Sequence, residues 1–132
     1  MTSASLAGKK IMWIEDDKFL NDLIARKLSG QGCTLFHASA GEEAFGILEK
    51  EVPDLILLDI RLSGIDGFEI LKRLKDNPKT KQIPVIILSN FGQKEDREKG
   101  KALGAARFLI KATVTLDEVI AEIQKVLNGL QK

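Results

Sequence analysis

The chain has 132 residues, 44% apolar and 30% charged, with a net charge of +1. This composition excludes a disordered chain, and the length fits one domain with a real hydrophobic core. No basic stripe marks a nucleic-acid surface, so no direct nucleic-acid partner is expected. The single cysteine, Cys33, excludes an internal disulfide and suits a reducing, cytoplasmic setting. The opening MTSASLAGKK lacks the apolar core of a signal peptide, and no apolar run approaches the ~20 residues of a membrane helix. The expectation is a soluble chain with no membrane contact, a flexible segment over 1–8 and one folded domain over 9–130.

In chain order, KIMWIE (10–15) is short, apolar and bounded by charge, which predicts a strand carrying Trp13 into the core. Leu20, Leu23, Ile24 and Leu28 recur at helical spacing over 18–29, with Asp17 as N-cap and Gly30 and Gly32 as the stop. CTLFHA (33–38) predicts a second strand, with Cys33 a small core residue. GEEAFGILEKE (41–51) predicts a helix ended by Pro53, which lacks an N–H and restricts the residue before it. DLILLD (54–59) is apolar on both faces, as a strand covered by helices on both sides must be.

GFEILKRLKD (67–76) places Ile70, Leu71 and Leu74 in helical register, with Asp66 and Glu69 resembling a capping box. IPVIILS (83–89) predicts the fourth strand. The highly charged QKEDREKGKAL (93–103) predicts an exposed, weakly held helix, and AARFLI (105–110) the fifth strand. A last helix follows over 115–130, with Thr115 and Glu118 as a capping box and Val119, Ile120, Ile123, Val126 and Leu127 along one face. Five strand–helix units of this length imply a parallel sheet with helices on both faces, joined by right-handed crossovers.

Ligands of open α/β sheets bind outside the carboxyl ends of the strands. The first strand delivers Glu15, Asp16 and Asp17 to that edge; the second His37 or Ser39; the third Asp59; the fourth Ser89 and Asn90; the fifth Lys111. If the first and third strands are neighbours, carboxylates converge there, facing a hydroxyl and an ammonium. Like charges within ~4–6 Å repel and raise one another's pKa. A hard divalent cation relieves that repulsion, and Mg2+ suits it. Asp59 ends the most apolar strand beside a flexible SGIDG loop, a placement suited to a nucleophile. A carboxylate can accept a phosphoryl group as an aspartyl phosphate.

The set IEDD, LLDIRLSGIDGFE, IPVIILSN and FLIK, in this order and each at a predicted strand end, resembles the receiver domain of two-component response regulators. The likeness runs from about Lys9 to Leu127. It implies a flavodoxin-like (βα)5 doubly wound sandwich with strands in the order 2-1-3-4-5. It implies that Asp59 is the phospho-acceptor, that Asp16 binds Mg2+ (or Mn2+) directly, and that Glu15 helps through the water shell of the metal. The Arg61 backbone carbonyl would be a further ligand. Ser89 matches the switch hydroxyl, Lys111 the lysine of the site, and Phe108 the rotating aromatic. The implied donor is a histidine kinase or phosphotransfer protein, with a downstream protein as the target. The only chemistry implied is self-catalysed phosphoryl acceptance and hydrolysis.

Three positions depart from the family pattern. Lys111-Ala112 stands where Lys-Pro with a cis bond is common, and a cis bond before a non-proline residue costs ~2.5–4 kcal/mol. Asn90 follows the switch hydroxyl where a small residue is usual. Ala106 and Arg107 replace the acidic pair of a common dimerising subgroup. Read singly, Asp17 is a helix cap, and His37, the one histidine, is a structural or solvated residue with no second ligand or catalytic partner indicated. The alternative function is a phosphorylation-independent interaction module on the same fold. A flavodoxin is disfavoured by the acidic first loop, a haloacid-dehalogenase-like phosphatase by the lack of Asp-x-Asp on the first strand, and a P-loop NTPase by its missing glycine-rich motif.

Overall fold

The computed structural model describes residues 6–60, 66–89, 94–111 and 113–129. Ten elements alternate: β1 (Lys10–Ile14), α1 (Lys18–Ser29), β2 (Thr34–Ala38), α2 (Gly41–Leu48), β3 (Leu55–Leu58), α3 (Gly67–Asp76), β4 (Val85–Ser89), α4 (Lys94–Ala102), β5 (Arg107–Ile110) and α5 (Leu116–Gly129). The strands are all parallel, in the order β2-β1-β3-β4-β5. This is the flavodoxin-like doubly wound sheet, with the order switch between β1 and β3.

Side chains alternate across each strand, so each face of the sheet builds its own core. Met12, Ile14, Ile56, Leu58, Val85 and Ile87 point to the face covered by α2 and α3. Ile11, Trp13, Leu55, Leu57, Ile86 and Leu88 point to the face covered by α1 and α5. All four residues of β3 are fully buried, which accounts for its unbroken LILL. Full burial of each such side chain is worth about 1.5–3 kcal/mol, and this fixes the platform on which the strand ends stand.

The expected caps form at three helices. Asp17 accepts from the Leu20 N–H at 3.2 Å, and Asp66 from the Phe68 N–H at 2.8 Å. Thr115 and Glu118 exchange both bonds of a capping box, at 2.8 and 3.1 Å. Asp66 has only half of the expected box, because the Glu69 carboxylate turns along the helix to Arg73 at 3.1 Å.

Two expectations need correction, at α2 and at the N-terminus, and α1 forms as expected with only part of its apolar stripe covered. α2 stops at Leu48, well before Pro53, as the Lys50 and Glu51 N–H groups both close turns onto the Ile47 carbonyl. The terminator is this turn and not the proline. α1 buries Ile24 and Leu28 but leaves Leu23 at 36% and Phe19 at 74% exposure, so its apolar stripe only partly faces the core. The folded region also begins before Lys9. Leu6 is buried against the α1 and α5 core, and the Gly8 N–H donates to the Gly32 carbonyl at 3.2 Å.

Candidate functional site

The sheet order decides what meets at the carboxyl edge. β1 and β3 pair with Ile14 opposite Leu58, so the next residue of each strand, Glu15 and Asp59, emerges side by side. The Asp59 N–H donates to the Ile14 carbonyl at 3.1 Å, extending the ladder by one step. Glu15 and Asp59 are buried, while Asp16 is exposed at the rim. Carboxylate oxygens of Glu15, Asp16 and Asp59 all lie within 4.8 Å of one another.

The ammonium comes from the far side. Lys111 follows β5, and its N–H donates to the Ser89 carbonyl at 2.8 Å. From there Nζ reaches Glu15 Oε1 at 2.6 Å and Asp59 Oδ2 at 3.0 Å, so one lysine bridges both buried carboxylates. Ser89 is fully buried at the end of β4. Phe108 is half-buried, packed toward the core under α2 and α3, with its ring beside Gly100 of α4.

Burial, followed by the neighbouring charges, perturbs both Glu15 and Lys111. Burial pushes the Glu15 carboxyl up to about 7; Lys111 opposes this and the Asp59 charge adds to it. For Lys111, burial works downward, but the hydrogen bonds and charges of Glu15 and Asp59 outweigh it and hold the ammonium above its ordinary value. The cluster therefore holds its excess negative charge reluctantly. An all-oxygen carboxylate set with such repulsion fits Mg2+ or Mn2+, which favour hard oxygen donors.

Most residues singled out from the sequence thus meet: Glu15, Asp16, Asp59, Ser89 and Lys111 share one edge, with Phe108 on the adjoining strand. Arg61, Asn90 and Ala112 lie outside the described residues. Asp17 serves as the α1 cap, and Trp13 is fully buried in β1 two residues before Glu15. Cys33 is half-buried and donates to the Leu28 carbonyl at 3.1 Å. His37, expected to be structural or solvated, is exposed on β2 and has a backbone partner, with Nε2 2.8 Å from the Glu15 carbonyl. Asn21, which periodicity marks only as a polar helix position, reaches the same oxygen at 3.1 Å.

The family model of the response regulator receiver domain matches residues 11–124. The chain belongs to this family. Sporulation initiation phosphotransferase F of Bacillus subtilis is 34% identical to this receiver domain over 122 residues, covering 92% of this chain and 96% of that one. The phosphate regulon transcriptional regulatory protein PhoB of Rhizobium meliloti is 33% identical over 119 residues, 90% of this chain and 52% of PhoB. The receiver therefore spans about half of that relative. Among solved structures, the receiver domain of a Francisella response regulator superposes with a TM-score of 0.83 at 28% identity, covering 95% of this chain and all of that one. The Mn2+-bound form of another response regulator gives 0.73 at 27% identity, covering 93% and 91%. Receiver domains work with histidine kinases or phosphotransfer proteins and with downstream effectors. Among the described residues, no helix is long and apolar enough to cross a membrane.

Proposed function

We propose that this receiver is a phosphorylation-controlled switch of the cytoplasm, in which Asp59 takes a phosphoryl group from a phosphohistidine of a kinase or phosphotransfer protein. The observation that carries this reading is the placement of Asp59: a buried carboxylate at the sheet's carboxyl edge, within ion-pair reach of Lys111 and clustered with Glu15 and Asp16. An Asp59 oxygen attacks phosphorus, the P–N bond of the donor breaks, and the imidazole leaves with the bonding pair and takes up a proton. Hydrolysis reverses the acceptance, as water attacks phosphorus and the carboxylate departs.

Glu15, Asp16 and Asp59 would hold Mg2+ or Mn2+, which supplies charge neutralisation to the transferring phosphoryl oxygens. Lys111 is already placed beside the acceptor and can follow charge onto the phosphoryl oxygens. The buried Ser89 hydroxyl is the further donor, because an anionic acceptor forms a stronger hydrogen bond than a neutral one. Phe108, on the strand that pairs with the one ending in Ser89, and α4, which packs against Phe108 through Gly100, would be the elements that respond. Exposed Phe19, in the first turn of α1 directly after the acidic loop, offers a donor protein apolar contact beside the site. No other enzymatic activity is proposed.

Incubation with acetyl phosphate and Mg2+, followed by intact-mass measurement, tests the acceptor. The wild type should gain one phosphoryl group, and Asp59→Asn should keep its unmodified mass. Equal labelling of both would sink the assignment. With beryllofluoride in place of phosphoryl, hydrogen exchange should change over 89–101 and 108–113 and hardly at all in α1.

A further inference from the structure

The main chain of Glu15 is held at both of its polar atoms, and from two different elements. Its N–H donates to the Ala38 carbonyl at the end of β2, at 2.9 Å. Its carbonyl accepts from Asn21 Nδ2, one turn into α1, at 3.1 Å, and lies 2.8 Å from His37 Nε2 on β2. A carbonyl can only accept, so the His37 tautomer carries its proton on Nε2 and donates it. Both acceptor directions of that oxygen are thereby used.

The Asn21 amide is oriented by this bond, since the reverse orientation would set two oxygens against each other. Its own Oδ1 is buried and has no hydrogen-bond partner among the described residues. An unsatisfied buried oxygen is unfavourable, and an apolar side chain would avoid it. Packing alone does not account for asparagine here. Nor does it account for His37, which is exposed on an edge strand.

What the two donors hold is a peptide plane. The Glu15 carbonyl belongs to the planar unit that contains the α-carbons of both Glu15 and Asp16. The directions in which the two carboxylates leave the chain follow from that plane. Mg2+ tolerates little departure from octahedral geometry, so a tilt of the plane is felt as lost affinity.

We propose that His37 and Asn21 are positioning residues for the cation site, fixing through the Glu15 carbonyl the peptide plane from which Glu15 and Asp16 reach the metal. The inference rests on the reading of Glu15, Asp16 and Asp59 as a cation site. It assigns to the edge strand β2 a part in the chemistry of β1 and β3.

Titration calorimetry with Mg2+ and with Mn2+ tests it on the full chain. His37→Leu and Asn21→Leu should each weaken binding by about tenfold, the lower end of what loss of a ligand-orienting hydrogen bond causes. His37→Gln should restore affinity, because its side-chain amide can present an N–H where the imidazole does. Thermal melting should leave His37→Leu close to the wild type, since the ring is exposed. A merely structural role would instead lower the melting temperature of His37→Leu with no change in cation affinity, and that result overturns the proposal. So does a His37→Gln variant as weak as His37→Leu. Wild-type protein that takes up neither cation overturns the reading of the site and the inference with it.

Discussion

Helices α3 and α4 are consecutive, similar in length, and packed on the same face of the sheet, yet they are held in opposite ways. α3 buries Gly67, Phe68, Ile70, Leu71 and Leu74. Its last turn is tied down as well, with the Thr80 hydroxyl donating to the Leu74 carbonyl at 2.6 Å and Lys75 Nζ to the Lys81 and Ile83 carbonyls. At its start, a methyl group on Gly67 would lie 2.2 Å from the Ile60 α-carbon and 2.7 Å from the Asp59 carbonyl oxygen. α3 is thus wedged against the backbone that carries the acceptor.

α4 has the sequence KEDREKGKA and buries only Gly100. A methyl group there would lie 2.8 Å from Ile87 Cδ1 and 3.4 Å from the Phe108 ring, so the helix approaches the sheet through the absence of a side chain. The difference teaches that a firmly held and a weakly held helix can share one face. A helix with an apolar stripe costs several side-chain burials to displace, whereas one resting on a glycine costs little, and low local stability is what a mobile element needs. α4 lies against Phe108, the residue that carries the switch in the proposed function.

The contrast breaks most visibly at Leu71. Leu71→Ala should lower unfolding free energy by about 2–5 kcal/mol, the range for truncating a fully buried leucine, as measured by urea denaturation. A loss below 1 kcal/mol would mean that α3 is no better anchored than α4.

Gly100→Val should cost less, about 1–3 kcal/mol, as for overpacking a close contact. Its effect should be local. Hydrogen exchange should accelerate over 94–102 and stay slow over 67–76, and acceleration of both helices together would show that α4 does not move as a separate unit.

Glu15 supplies a pH-dependent effect that belongs to neither helix. Its carboxyl is raised from 4.5 to about 7 in the folded protein. Between these values the folded chain holds a proton that the unfolded chain releases, so stability falls as pH rises through this window. Without divalent cations, the urea midpoint should be higher near pH 5 than above about pH 7, and Glu15→Gln should flatten that slope. The gap in exchange rate between α3 and α4 should survive the pH change, because the loss is global.

The smallest effect belongs to the α4 surface. Glu98→Ala should shift stability by no more than about 0.5 kcal/mol, as for an exposed side chain without buried partners. A loss comparable to that of Leu71→Ala would overturn the comparison altogether.

Much of this contrast is legible before any coordinates. The i, i+3, i+4 spacing of Ile70, Leu71 and Leu74 and the charge of 93–103 are properties of neighbouring residues, and so are the five alternations of strand and helix. The Asp17 cap and the Thr115–Glu118 box are equally local, since each bond spans three residues. The residue types at the strand ends could also be read, because a strand that is buried throughout must release its first charge at its mouth. The strand order came from family resemblance and not from periodicity.

Tertiary structure decided the rest, through pairings between residues far apart in the chain. That Lys111 bridges Glu15 and Asp59 depends on β5 lying beyond β4 at a register that sets Ser89 opposite Ile110. That His37 and Asn21 meet on one carbonyl depends on β2 flanking β1 while α1 folds back over the sheet. The burial of Leu6, the early end of α2 and the exposure of Leu23 likewise turn on what happens to lie opposite. Short-range spacing determines which elements form, because hydrogen bonding and side-chain period repeat within a few residues. Which polar atoms of the site touch is set by the docking of whole elements, since Lys111 stands 96 residues and His37 22 residues from Glu15 along the chain.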